Sequence, residues 1–265
     1  MADSNQFSKS LTPDFRLEVA KGSVPKHGHF ILGMCNQAVG TTEESVWAIG
    51  GIQNYSNTLT EMFISSSSAL DVAQVIVVTG INEDRALESR TVFSNGQTAV
   101  SVGEWHRVLQ ARNLGFPVTQ NGDLNGTLYI AEADTLVAGV PSTTSLIRCV
   151  IPYDSAAGRS ANVGLVAGFT VPDDHFAVIT SIKFAAPNAK DIVFSTLIRP
   201  NSEGDTIIRP FQDAAPFNLY QTATSLDFDG IFVDARWDVE FRARAAAGSS
   251  AFCTIICEFI LIEKD

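Results

Sequence analysis

The stretch Ala235-Arg-Trp-Asp-Val-Glu-Phe-Arg-Ala-Arg-Ala245 alternates apolar and charged residues without a break. Successive side chains of a strand point to opposite faces, so Val239, Phe241, Ala243 and Ala245 form one dry face. Asp238, Glu240, Arg242 and Arg244 form the other. That charged row has two readings. It is solvated, the default, or it pairs across subunits, where opposite charges fix register more than affinity. The same period recurs at Val178–Phe184, Ile192–Ile198 and Phe252–Ile262, and nothing of comparable strength repeats at helical period. The chain is therefore expected to be all-β, a β-sandwich or jelly-roll-like fold.

Outward from that stretch, the chain reads as two strand-rich blocks behind an extended N-terminal arm. The arm covers residues 1–40, with Met1–Ser10 mobile, Phe15-Arg-Leu-Glu-Val19 alternating like a short strand and Lys21–His29 irregular. The first block, 41–133, holds apolar runs at Val46–Ile49, Met62–Ile64, Val75–Val78 and Thr127–Ile130. Leu70–Val75 has room for one helical turn. Asn95-Gly96, Asn121-Gly122 and Asp229-Gly230 carry hairpin-turn signals, because these residue types tolerate positive φ. Residues 134–145, small, polar and proline-containing, are the linker candidate, or else one long loop inside a single domain. The second block, 146–265, ends in two strands joined through Ala246-Gly248-Ser249.

Composition narrows the function. A chain of 265 residues with 45% apolar and 18% charged residues is long and apolar enough for two sandwiches or one large one. The net charge of -11, with no Lys/Arg cluster, would repel a phosphate backbone, so nucleic-acid binding is disfavoured. No apolar run reaches transmembrane length, and the polar start Met1–Leu11 lacks a secretory signal pattern. Cys253 and Cys257, four apart in one strand, lie roughly 13 Å apart, too far for a disulfide. With Cys35 and Cys149 they read as free thiols made in a reducing cytosol.

Several constellations invite a site. Asn121-Gly-Asp-Leu-Asn-Gly126 with Glu132 matches an EF-hand calcium loop, except that Asn replaces the first Asp and strands flank it. His27-Gly-His29 offers two imidazoles, with Cys35, His106 or His175 as distant third ligands. Asp173-Asp174-His175 suggests acid–base chemistry, and Asp227 and Asp229 a weak cation site. Turn and loop chemistry explains each more simply. Tyr153, Phe211, Phe217, Tyr220 and Trp237 would line a sugar groove if they were not core. No GxSxG elbow, P-loop, dinucleotide fingerprint or CxxC pair is present, and nothing selects two carboxylates as a glycosidase pair. The sequence nominates no catalytic residue, no cofactor and no metal.

Three series of motifs carry a resemblance. One is Phe15-Arg-Leu-Glu-Val-Ala-Lys-Gly-Ser-Val-Pro-Lys-His-Gly-His29, running on to Glu43-Glu-Ser-Val-Trp-Ala-Ile-Gly-Gly51. Another joins Ser65–Ser68, Val75-Ile-Val-Val-Thr-Gly-Ile-Asn-Glu83, Glu88-Ser-Arg-Thr-Val92 and Asn95-Gly96. The last joins Phe169-Thr-Val-Pro-Asp-Asp-His-Phe-Ala-Val178, Phe217-Asn-Leu-Tyr-Gln221, Asp227-Phe-Asp229 and Asp238–Ala245. Together, from residue 15 to the end, they resemble virion structural proteins of tailed bacteriophages, many of them marine. Lys26 stands where that group often has Gly, Asp173-Asp174-His175 replaces an Ala-Gly-Lys turn, and Ile31–Asn36 lacks a basic stretch.

The resemblance implies a non-enzymatic, head- or neck-attached virion component that decorates or cements the capsid. Its partners would be other virion proteins and copies of itself, a trimer among the fitting states, with no membrane partner. Its place is the virion, after synthesis in the host cytoplasm. The alternative is a fibre or receptor-binding module for host surface glycan, and a glycan-cleaving enzyme on the same scaffold stands third. Phe15, Leu17, Val19, His27, His29 and Phe30 are the expected subunit contacts, since an arm that adds a strand to a neighbour's sheet gains main-chain hydrogen bonds. Deleting residues 1–40 is expected to leave a folded chain that no longer enters particles.

Overall fold

Helix α1 (Asp14–Ala20) leads into strand β1 (His27–Val39). The computed structural model describes residues 14–56, 58–115, 123–186, 192–200, 212–219, 223–246 and 251–264. Eight strands follow: β2 (Thr60–Ser66), β3 (Val72–Ile81), β4 (Leu87–Asn95), β5 (Val100–Trp105), β6 (Arg107–Asn113), β7 (Leu128–Glu132), β8 (Ile147–Ile151) and β9 (Val163–Leu165). The chain closes with β10 (Gly168–Thr170), β11 (His175–Ala185), β12 (Ile192–Arg199), β13 (Gln212–Leu219), β14 (Ala223–Val233), β15 (Asp238–Ala245) and β16 (Ala251–Glu263). The all-β expectation holds.

The strands form two sandwiches. One pairs a sheet in the order β1-β16-β11-β14 with a sheet in the order β10-β15-β12-β13. Renumbered along the chain within this sandwich, the sheets read 1-8-3-6 and 2-7-4-5, which is jelly-roll connectivity. The second sandwich, β8-β7-β2-β5 against β9-β6-β3-β4, is inserted into the second strand position of the jelly roll. Residues 44–45 pair with Ala243 and Arg242 of β15, and β10 pairs with Glu240, Val239 and Asp238 of the same strand. Phe241 sits between the two pieces. Its C=O accepts from Val46 N–H at 2.9 Å, and its N–H donates to Ala167 C=O at 2.8 Å. The departing and returning chains thus flank one residue, which lets a whole domain be inserted without disturbing the host sheet. Gly168 is required at the return, because a Cβ there would lie 1.8 Å from the Val239 carbonyl oxygen.

Each sandwich has its own core. Leu32, Met34, Ile179, Phe184, Phe194, Phe241, Cys257 and Phe259 belong to the jelly roll's, with Phe169 stacked on Phe259 at 4.1 Å. Met62, Ile64, Ile76, Val78, Trp105, Leu128, Ile130 and Ile151 belong to the insert's. Burying each such side chain contributes about 1.5–3 kcal/mol before entropy is subtracted. Trp47, at the exit from the jelly roll, packs with Ala131, Ile147, Val150 and Ala167 in a third cluster that joins the two.

Pairing divides the chain differently from the sequence blocks. Residues 134–145 do not link domains. They form a small hairpin, Leu136–Val137 with Val140–Pro141, between β7 and β8, which are neighbours in one sheet. A polar, proline-containing run reads the same in either role. The arm likewise includes β1, which pairs with β16 from His27↔Ile262 to Asn36↔Cys253 and buries Leu32 and Met34. Deleting residues 1–40 would therefore remove a core strand, and the expectation of a folded truncation is withdrawn.

Three local readings also change. Phe15–Val19 is helical, since its five residues satisfy i,i+4 spacing as well as alternation. Gly22, at φ 72°, ends that helix with a Schellman turn: Ser23 N–H donates to Glu18 C=O and Gly22 N–H to Val19 C=O. Strand β3 begins at Val72, so Leu70–Val75 is not a helical turn. Asp229-Gly230 lies inside β14, where Gly230 (φ 122°) sits in a bulge opposite Ile179–Ser181. Asn95-Gly96 does turn the chain between β4 and β5. Asn121-Gly122 and the 247–250 junction lie outside the described residues, as do Met1–Ser10.

Candidate assembly interface

Strand β1 is thirteen residues long and lies at the edge of its sheet. Glu263 N–H donates to Lys26 C=O at 2.9 Å, which fixes the phase of the ladder. Hydrogen-bonded and non-hydrogen-bonded pairs alternate in antiparallel strands, so Gly28, Phe30, Leu32 and Met34 exchange bonds with β16. His29, Ile31, Gly33 and Cys35 turn their N–H and C=O groups to the other side. Among the described residues no strand pairs with that side. Such a row is a template for an added strand. Ile31, on this edge, is 60% exposed. Beside it runs a cleft of about 550 Å³ between the sandwiches, walled by His29, Ile31 and Phe169 on one side and by Val77, Leu87 and Arg112 on the other.

The six expected contact residues divide by what they touch. Helix α1 lies against the outer face of this sheet, where Arg16 Nη2 donates to Thr180 C=O at 3.2 Å. Phe15 meets His27 edge-on at 5.9 Å, and His27 Nδ1 lies 2.7 Å from the Pro25 carbonyl oxygen. Leu17 is 52% exposed. Val19 is buried, and Phe30 points inward and stacks on Phe259 at 5.6 Å. Leu17 and Ile31 are therefore exposed and His29 is half-buried, whereas Val19 and Phe30 are committed to packing. Ile31 was not among the six, although odd-numbered alternation in Phe30–Met34 would have selected it.

The charged face of β15 is not solvated. Asp238 and Glu240 are each 0% exposed, Arg242 is half-buried and Arg244 is exposed. Asp238 accepts from Arg107 Nε and Nη2 at 3.1 Å each, from Arg199 Nε and Nη2 at 3.1 and 2.7 Å, and from Thr170 Oγ1 at 2.6 Å. Burial pushes this carboxyl up, but the two guanidiniums and the hydroxyl outweigh it and hold it below its ordinary value. The Tyr55 ring has both guanidiniums over it, Arg107 at 5.5 Å and Arg199 at 5.2 Å from its centroid. Burial, with Glu240 and Asp238 nearby, raises the Tyr55 phenol well above its ordinary value. Glu240 accepts from Ser45 Oγ at 2.5 Å and from Arg242 Nε and Nη2 at 2.9 Å each.

Arg107 comes from the insert, and Asp238, Arg199 and Thr170 from the jelly roll. The pairing read as inter-subunit or solvated is thus between the two sandwiches of one chain. Sequence reasoning missed Arg107 because 131 positions separate it from Asp238. The available signal was a cation inside the run Trp105-His-Arg-Val-Leu109.

The remaining constellations fare differently. Asp123 Oδ1 accepts from Asn162, Asn125 donates to the buried Asp71, and Glu132 is paired with Arg148, so these three described residues of the calcium loop do not converge. Asp173 is held by Arg236 at 2.5 and 2.7 Å, which keeps its carboxyl below its ordinary value, and Asp174 bonds His175 Nδ1 at 2.6 Å. Among the described residues no three His, Cys, Asp or Glu side chains are placed to hold a metal. Tyr153 lies on a hairpin of the insert, and Trp237 packs on the jelly-roll core. Phe211 and Tyr220, and the side chains of Phe217, Asp227 and Asp229, lie outside the described residues. The cysteines are free: Cys149, Cys253 and Cys257 are buried, and Cys35 is partly exposed. No helix among the described residues is long and apolar enough to cross a membrane.

No family model matches the chain, and no curated protein matches it. Solved structures of infectious bursal disease virus align along most of it. The Gx strain structure covers 95% of this chain and 82% of its own, at 9% identity and a TM-score of 0.23. The T13 viral particle covers 100% and 86%, at 13% identity and a TM-score of 0.17. The VP2 subviral particle covers 96% and 87%, at 12% identity and a TM-score of 0.13. Scores at this level do not establish a common fold, and the sandwich assignment here rests on the strand order of this chain.

Proposed function

We propose that this chain is a non-enzymatic virion structural protein of a tailed phage, attached to the head or neck, where it decorates or cements the capsid. The observation that carries the reading is the edge of β1, with four successive outward-facing residues whose main-chain groups no described strand takes up. An edge this long is a hazard for a chain that stays alone and an asset for one that assembles. The motif series from residue 15 onward supports the virion assignment. Jelly-roll connectivity agrees with it, since that architecture recurs in viral capsid domains. Assembly proceeds by pairing β1 with a strand of a neighbouring virion protein or a second copy, with α1 and His29 flanking the contact.

Ile31→Pro tests the proposal. The Ile31 N–H faces outward, so proline removes no bond to β16 and spares the fold. The expected result is a folded chain, by far-UV circular dichroism and thermal melting, that is absent from purified particles. Incorporation at the wild-type level would overturn the reading.

A further inference from the structure

Among the described residues the two sandwiches are joined by main-chain bonds, Asp173 N–H to Arg85 C=O at 3.1 Å among them, by apolar contacts and by a buried ionic cluster. Two backbone crossings flank Phe241. An apolar contact packs Trp47 on Ala131, Ile147 and Val150. A buried ionic cluster sets Arg107 of the insert against Asp238 of the jelly roll. Apolar contact is non-directional, so it supplies adhesion at many relative angles. A bidentate guanidinium–carboxylate pair is directional and is lost when the partners rotate by a few tens of degrees.

We propose that the Arg107–Asp238 pair selects one orientation of the inserted sandwich, while the Trp47 contact supplies adhesion. The surroundings fit this division. Asp238 is fixed from its own sandwich by Arg199 and Thr170, so it is a rigid target. Arg107 is fixed from the insert side, donating to His106 C=O at 2.8 Å and to Ser56 C=O on the departing chain. The charged and titratable groups facing the pair are Arg199 from β12, Tyr55 from the departing chain and Glu240 from β15. The pair also sets the cleft beside β1, because one cleft wall moves with each sandwich.

The test uses the full chain carrying Cys35→Ser, Thr91→Cys and Arg244→Cys, which places one spin label on each sandwich. The three remaining native thiols are buried. Double electron–electron resonance then reads the distance distribution. Arg107→Met leaves Asp238 paired with Arg199 and Thr170 and removes the guanidinium fork that the insert places on it. The expected outcome is a folded chain whose single narrow peak becomes broad or multiple. Arg107→Lys keeps the charge but not the fork, and is expected to broaden the peak less. If Arg107→Met does not fold, the lysine variant decides alone. A wild-type distribution in every folded variant would overturn the proposal.

Discussion

Asp238→Asn removes one charge and almost no volume from a site with no solvent access. In the wild type, two guanidiniums place four N–H donors on this carboxylate at 2.7–3.1 Å. The amide keeps one acceptor oxygen but turns an NH₂ toward two buried guanidiniums and removes the negative charge that both of them face. Breaking a buried pair from one side costs about 3–5 kcal/mol. Set against a typical total of about 5–15 kcal/mol, that is a large fraction of the fold's stability. Urea unfolding at pH 7, with linear extrapolation, measures it.

The pH dependence adds a second reading. The folded carboxyl is held below its ordinary value, so its contribution is present above the unfolded value of about 3.9 and is lost as pH falls through the folded one. The gap between wild type and variant is therefore expected to narrow on acidification below about pH 4. A loss under about 1 kcal/mol at pH 7, the size of an exposed pair, would contradict a buried, directly paired Asp238. So would a gap that stays constant into acid.

Leu32→Pro, one residue from Ile31→Pro, removes an N–H that bonds β16, and it is expected to abolish folding as judged by circular dichroism. Thiol titration should find Cys35 alone reactive in the native chain and all four cysteines after unfolding. Burial closes off the other three and pushes Cys149 and Cys253 up to about 12; more than one fast thiol would contradict the packing. Gly168→Ala should cost about 1–3 kcal/mol or more by overpacking, because its Cβ meets the Val239 carbonyl; an unchanged melting temperature would refute that contact.

Period-two alternation made β11, β12, β15 and β16 legible, because one face of each is dry in the jelly-roll core. The shared buried face of Cys253 and Cys257 followed from the same rule. Topology was less legible. The insertion between residues 46 and 167 depends on two short pieces pairing either side of Phe241, and neither piece is long enough to show a period. The charged face of β15 misled for a different reason: alternation says which residues leave the core, not whether they reach water. The inserted sandwich covers Asp238 through Arg107, while Ser45 and Arg242 bond Glu240, and only tertiary structure brings Arg107 there. Phe15–Val19 fitted two periods, and Gly22 with its capping bonds decided for helix. Which side of β1 is open was not legible in the sequence, because it depends on the Lys26–Glu263 bond that sets the phase.

Cryo-electron microscopy of the intact particle shows what lies against the open edge of β1. This chain is expected on the head or neck, with a strand from another polypeptide hydrogen-bonded to the His29, Ile31, Gly33 and Cys35 side of β1. A particle that lacks the chain, or one in which that edge of β1 faces solvent in every copy, would contradict this expectation.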